Sequence, residues 1–146
     1  MALGCEPNVL IENETTCALY VTTQSQVLAR LNNSQKKLGT AVVMITHDLG
    51  VISETADHVI VMYAGKKVEE ASVIDLFKNP KHPYTRGLMK AIPNIDQISK
   101  NNGKPKRLNA IKGIVPSLHD LPFSCAFSHR CSYVMETCIK EDPVFD

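Results

Sequence analysis

The sequence predicts an α/β fold that ends in a small irregular, cysteine-containing tail, and three observations carry that prediction. Short β-branched runs, Val9 to Ile11 and Ala41 to Ile45, flank a helical stripe. A second pair of strand-like runs folds about Ala64-Gly65. From Leu108 onward the chain is rich in Pro, Ser and Cys with no sustained period, a texture that orders itself only if something clamps it.

Each element follows from its residues. Runs as brief and as apolar as the first two suit strands buried on both faces. Between them, QSQVLARLNNSQKKL places Val27, Leu28, Leu31 and Leu38 on one helical stripe, with Thr23 and Gln26 as a capping box and Gly39 as the stop. Strand, helix, strand at this spacing is a parallel crossover unit. Leu49 to Ala56 predicts a further short helix. In HVIVMYAGKKVEE, Ala64-Gly65 turns one strand back on the next, and SVIDLF then starts a helix capped by Ser72 and Asp75. Together these predict a sheet with antiparallel additions at one edge. Pro80, Pro83 and Pro93 surround the short helix YTRGLMKAI. The predicted organisation is residues 1–93, a polar linker at 94–107 (NIDQISKNNGKPKR), and a tail at 108–146.

Composition narrows the function classes. At 146 residues, 44% hydrophobic and 21% charged, the chain suits one ordinary core plus a small stapled module. A formal net charge of +1 gives no general pull toward nucleic acid or an acidic membrane. Residues 96 to 112 carry five Lys/Arg against one Asp; without aromatic or periodic spacing they read as a solvated linker. No run reaches the roughly 18 apolar residues of a membrane span. MALGCEPNVL lacks the basic and hydrophobic regions of a signal peptide. A soluble cytoplasmic protein is the expectation, with no nucleic-acid partner and no direct membrane insertion. Three of five cysteines crowd into residues 125 to 138, which in a reducing compartment points to metal before disulfides.

In open parallel sheets, ligands sit at the carboxyl ends of the strands. Two such ends carry polar residues here, Asn13-Glu14 and Thr46-His47-Asp48. Neighbouring parallel strands would bring Glu14 and His47 to one rim, where a carboxylate and an imidazole could address a phosphate or a water. Polar strand ends that merely meet solvent fit the same spacing. Cys5, Cys17, His58, His82 and the methionines read as packing, loop or surface residues.

The phrases MALGCEPNVLI, ALYVTTQSQVL, GTAVVMITHDLGVI, ADHVIVMYAGKKVEE, NPKHPYTRGLMKAIP and GIVPSLHDLP run in that order through the chain. They resemble, nearly end to end, the C-terminal part of the ATP-binding subunits of dipeptide, oligopeptide and nickel ABC importers. The resemblance implies a partial P-loop NTPase-type (ABC ATPase) sheet over residues 1–93. Glu14 falls on the general base that orients water against the γ-phosphate, and His47 on the switch histidine that touches that phosphate. Asn13 falls on the Walker B aspartate, where an amide keeps hydrogen bonding but brings no charge to magnesium. Tyr20 replaces the aspartate of the loop that reaches across the ATPase dimer, and Thr15 and Cys17 also depart from the pattern. No G-x-x-x-x-G-K-S/T occurs in the sequence, so the backbone nest and lysine that cradle ATP phosphates are absent from it. The expectation is that ATP and Mg bind weakly or not at all, and that the chain alone does not hydrolyse ATP.

Cys125, Cys131 and Cys138 form C-x5-C-x6-C, wider than a zinc knuckle. The resemblance makes them ligands of a 4Fe-4S (Fe-S) cluster completed by a cysteine beyond Asp146. Zinc with His129 or His119 joining, or three free thiols, fit the same residues. By the same resemblance the partners are transmembrane permease subunits and a second ATP-binding subunit, on the inner face of the plasma membrane. The alternatives are a small metal-binding or scaffold protein, and a non-functional remnant.

Overall fold

The computed structural model describes residues 7–14, 21–92 and 110–143. The chain divides into two compact units, Met1–Asp57 and His58–Asp146.

In the first unit, strand β1 (Val9–Asn13) pairs in parallel with β2 (Ala41–Ile45), Val9 opposite Ala41 and Asn13 opposite Ile45. Helix α1 (Val21–Leu38) makes the crossover. It begins two residues before the predicted cap at Thr23, and buries Leu28 and Leu31 of the predicted stripe while Leu38 stays exposed. Gly39 ends it as expected: at φ 67 its N–H donates to the Gln35 carbonyl at 2.9 Å, a stop that only a residue at ease in the left-handed region makes cheaply. Thr40 is buried and donates its hydroxyl to the Pro7 carbonyl at 2.8 Å, anchoring the start of β2 beside the start of β1.

The prediction that these strands are buried on both faces fails. Both alternate between exposed and half-buried residues, because a single crossover helix can cover only one face of a two-stranded sheet. Helix α2 (Leu49–Thr55) follows, with Asp48 as its N-cap, its carboxylate accepting from the N–H groups of Gly50 and Val51.

In the second unit, β3 (His58–Tyr63) and β4 (Lys66–Ser72) form an antiparallel hairpin. It is a sheet of its own rather than an edge addition to the first. Ala64 and Gly65 both sit at positive φ, 48 and 80, as a tight two-residue hairpin turn requires. The register slips by one between Val61 and Met62, leaving Val68 as the extra residue of a β-bulge. The bulge lets Val68 and Glu69 both turn inward: Val68 packs on the core and Glu69 is buried. Helix α3 (Val73–Lys78) starts at Ser72, whose Oγ accepts from the Asp75 N–H at 3.1 Å, and it buries Leu76. Helix α4 (Pro83–Ala91) starts with Pro at its first turn and His82 as cap, and the short α5 (Glu136–Lys140) lies near the end of the tail.

Tyr63, Ala126 and Phe127 form the core of this unit, with Tyr84 tilted against Tyr63 at 4.7 Å and Phe127 edge-on to Tyr63 at 5.1 Å. The tail is therefore not loose. Arg130 clamps it, donating to the carbonyls of Lys112 and Ile111 and to the Tyr63 hydroxyl, and Lys66 pairs with Asp142. This supplies the order that its sequence alone could not provide. The predicted linker at 94–107 lies outside the described residues.

Candidate functional site

Because β1 and β2 run in parallel with Asn13 opposite Ile45, their carboxyl ends open on one rim, the usual place for a ligand in such a sheet. Glu14, the residue after β1, has φ 49. That left-handed conformation costs a non-glycine residue about 1–3 kcal/mol. Its N–H donates to the Ile45 carbonyl at 3.0 Å, extending the strand pairing one residue past β1. From there its carboxylate meets the imidazole of His47, Nδ1 to Oε1 at 3.2 Å.

Magnitudes separate a site from a structural contact here. The two side chains are 52% and 74% exposed, and a pair so open to water contributes no more than about 1 kcal/mol. The contact therefore does not offset the backbone strain. A carboxylate and an imidazole in contact at an open rim can hold a water between themselves and a ligand and relay its proton.

The remaining predicted site residues fall out differently. Asn13 lies at the exposed end of β1, next to Glu14. Asp48 serves as the cap of α2, and its N–H donates to the Thr46 hydroxyl at 3.1 Å. Tyr20, Thr15, Cys17 and Cys5 lie outside the described residues.

The tail carries the three cysteines expected as metal ligands. Cys125, Cys131 and Cys138 are half-buried free thiols, and among the described residues no group of three or more His, Cys, Asp or Glu is arranged to hold a metal ion. The Cys125 N–H donates to the Cys138 carbonyl at 3.2 Å, and Cys131 Sγ accepts from the Tyr133 N–H at 3.3 Å. Burial pushes the Cys125 thiol above its ordinary range, with charge on Cys138 and Cys131 adding to the shift.

Two organising residues escaped the sequence reading. Glu69 is buried on β4, and its carboxylate accepts from the N–H groups of Lys81 at 2.6 Å and His82 at 2.9 Å, fixing the approach to α4. Arg130, the clamp of the tail, looked like one more basic residue.

A parallel crossover sheet with a carboxylate and a histidine at its carboxyl rim defines an α/β class whose ligands sit at that rim. Comparison with known proteins narrows the class to a family. Residues 68–138 match the family described as the oligopeptide/dipeptide transporter, C-terminal region. A probable peptide ABC transporter ATP-binding protein of Sinorhizobium fredii is 48% identical over 99% of this chain and 42% of its own length. The oligopeptide transport ATP-binding protein AppD of Bacillus subtilis is 50% identical over 98% of the chain and 42% of its own. The dipeptide transport ATP-binding protein DppD of Haemophilus influenzae is 42% identical, again over 98% and 42%. A solved structure, cbiO1 from Clostridium perfringens, part of the ABC transporter complex cbiONQ, aligns with 51% of this chain and 30% of its own at 31% identity and a TM-score of 0.47. Nearly the whole chain is thus homologous to proteins named as ATP-binding proteins of peptide ABC transporters, and residues 68–138 carry the oligopeptide/dipeptide transporter C-terminal region. It spans about two fifths of the length of the curated relatives it matches, 42% of each of the three. No helix among the described residues is long and apolar enough to cross a membrane.

Proposed function

We propose that this chain provides the water-positioning and phosphate-sensing rim of a peptide (or nickel) importer's ATP-binding subunit. In that role Glu14 orients the attacking water and His47 contacts the γ-phosphate. The observation that carries the reading is the 3.2 Å approach of His47 to a strained, exposed Glu14. Asn13 stands where a carboxylate would hold magnesium through its water shell, so binding of Mg-ATP is weak wherever Asn13 is the only contributor. Work is delivered to permease subunits and a second ATP-binding subunit at the inner membrane face, where ATP closes the dimer and opening follows hydrolysis. The reading assigns no metal to the tail, where no group of three or more His, Cys, Asp or Glu among the described residues is arranged to hold one.

The test is a chimera in which this chain replaces the matching segment of the Bacillus subtilis relative, which is 50% identical to it, assayed for Mg-ATP hydrolysis. Asn13→Asp is expected to raise the rate at limiting magnesium. Glu14→Gln in that background should lower kcat by about 100-fold or more, the scale of a positioned general base. A folded, active chimera indifferent to Glu14→Gln would remove the role assigned to the rim.

A further inference from the structure

The second unit contains a cavity of about 470 Å³ between α4 and the tail, within the range of roughly 300–1,000 Å³ typical of small-molecule sites. It shares no residue with the Glu14–His47 rim. Arg86 and Lys90 reach it from α4, Lys112 and Arg130 from the tail, and among the described residues no carboxylate lines it. Among the described residues none of these four cations has a carboxylate partner.

Both guanidinium groups are held in place by neutral acceptors. Arg86 donates to the Pro80 carbonyl at 2.9 Å, and Arg130 to two carbonyls and the Tyr63 hydroxyl. They are thus positioned without being neutralised, and like charges around a hollow raise the local affinity for an anion. The rest of the lining mixes apolar and aromatic residues, among them Ile111, Phe127 and Tyr133, with the uncharged polar Ser132 and with His129. Arg86 lies 5.9 Å from the centroid of the Tyr133 ring, which is largely exposed. Ile111 closes against α4 at Gly87, where an added Cβ would come within 2.8 Å of it, so the glycine permits this apolar wall.

We propose that this cavity binds a small organic phosphate monoester. The dianionic phosphate sits among Arg86, Lys90 and Lys112, whose charges and planar guanidinium fork match it better than they match a single carboxylate. The organic part lies against Tyr133 and Ile111, where an aromatic or apolar group gains contact that inorganic phosphate cannot.

Isothermal titration of the full chain with phenyl phosphate at low salt tests this. Saturable one-site binding is expected, with inorganic phosphate at least about tenfold weaker. The double variant Lys90→Glu/Lys112→Glu should weaken phenyl phosphate at least about tenfold. Lys36→Glu/Lys37→Glu, an identical charge change in α1, should leave it unchanged. Both pairs are exposed, so circular dichroism should confirm that both variants fold. The proposal is overturned by absence of saturable binding, by inorganic phosphate matching phenyl phosphate, or by the two double variants behaving alike.

Discussion

At the scale of single residues, the most informative atom is one with nothing to bond. Thr85 is fully buried in α4, and its hydroxyl has no partner among the described residues. A buried hydroxyl without a hydrogen bond costs about 1–3 kcal/mol, whereas valine fills nearly the same volume with no polar atom and only a few tenths of a kcal/mol of helix penalty. Thr85→Val should therefore stabilise the protein by about 1 kcal/mol, read as a higher urea midpoint at unchanged slope. A lower midpoint would mean that the hydroxyl is satisfied in solution. Residues differ in how legible they were. Glu14 and His47 could be found because each follows a strand run, and parallel pairing brings such ends together. Glu69 could not: a glutamate beside a second glutamate on a strand reads as solvent-facing, and its burial depends on the bulge at Val68, which leaves no mark in a pattern of period two. Arg130 was hidden similarly, since its partners are carbonyls, which every sequence has.

At the scale of elements, α4 shows how a cap couples a helix to pH. His82 is the N-cap, its Nδ1 accepting from the Tyr84 N–H at 3.1 Å, so the cap works only with that nitrogen unprotonated. Burial holds the imidazole below its ordinary range, with Glu69 pulling the other way, and the Phe127 ring stands 5.7 Å away. The direction of the effect follows by linkage. Above about pH 6.5, the unfolded value, His82 is neutral in both states and its contribution is complete. As pH falls below that value the unfolded chain takes up the proton first, and stability declines until the folded-state value has been passed. His82→Asn keeps a capping oxygen but cannot titrate, so it should flatten the stability profile between about pH 7 and 5. His82→Ala should flatten it too, and also lose about 1 kcal/mol at pH 7.5 with the cap. Denaturant titrations across that range decide, and an unchanged slope in both variants would assign the pH dependence elsewhere. The helices themselves were readable because their stops and caps are local: Gly39, Ser72 and Pro83 each mark a boundary. The separation of the strands into two sheets was not, since hairpin and crossover signals specify which strands pair but not which sheets join.

At the scale of the whole molecule, surface chemistry decides behaviour in solution. The rim-bearing sheet leaves Val9, Ile11, Val43 and Ile45 at 53%, 68%, 50% and 51% exposure. Ile11 lies opposite Val43 in the parallel register, so these side chains make a contiguous apolar face on a sheet of only two strands. Faces of this kind drive association unless covered, and an isolated two-stranded sheet has little stability of its own. The same alternation that exposes the odd-numbered residues of β1 turns Leu10 and Glu12 to the more covered side, so changes on the open face should leave the interior alone. Ile11→Thr/Val43→Thr should accordingly shift stability by no more than about 0.5 kcal/mol, as surface substitutions do, while lowering both dye binding and the apparent mass measured by light scattering. If the double variant instead unfolds, the face is already covered in the protein as purified, and the contact that covers it is part of the native fold. If stability and association are both unchanged, association runs through another surface, of which the fully exposed Phe123 on the tail is the first to substitute.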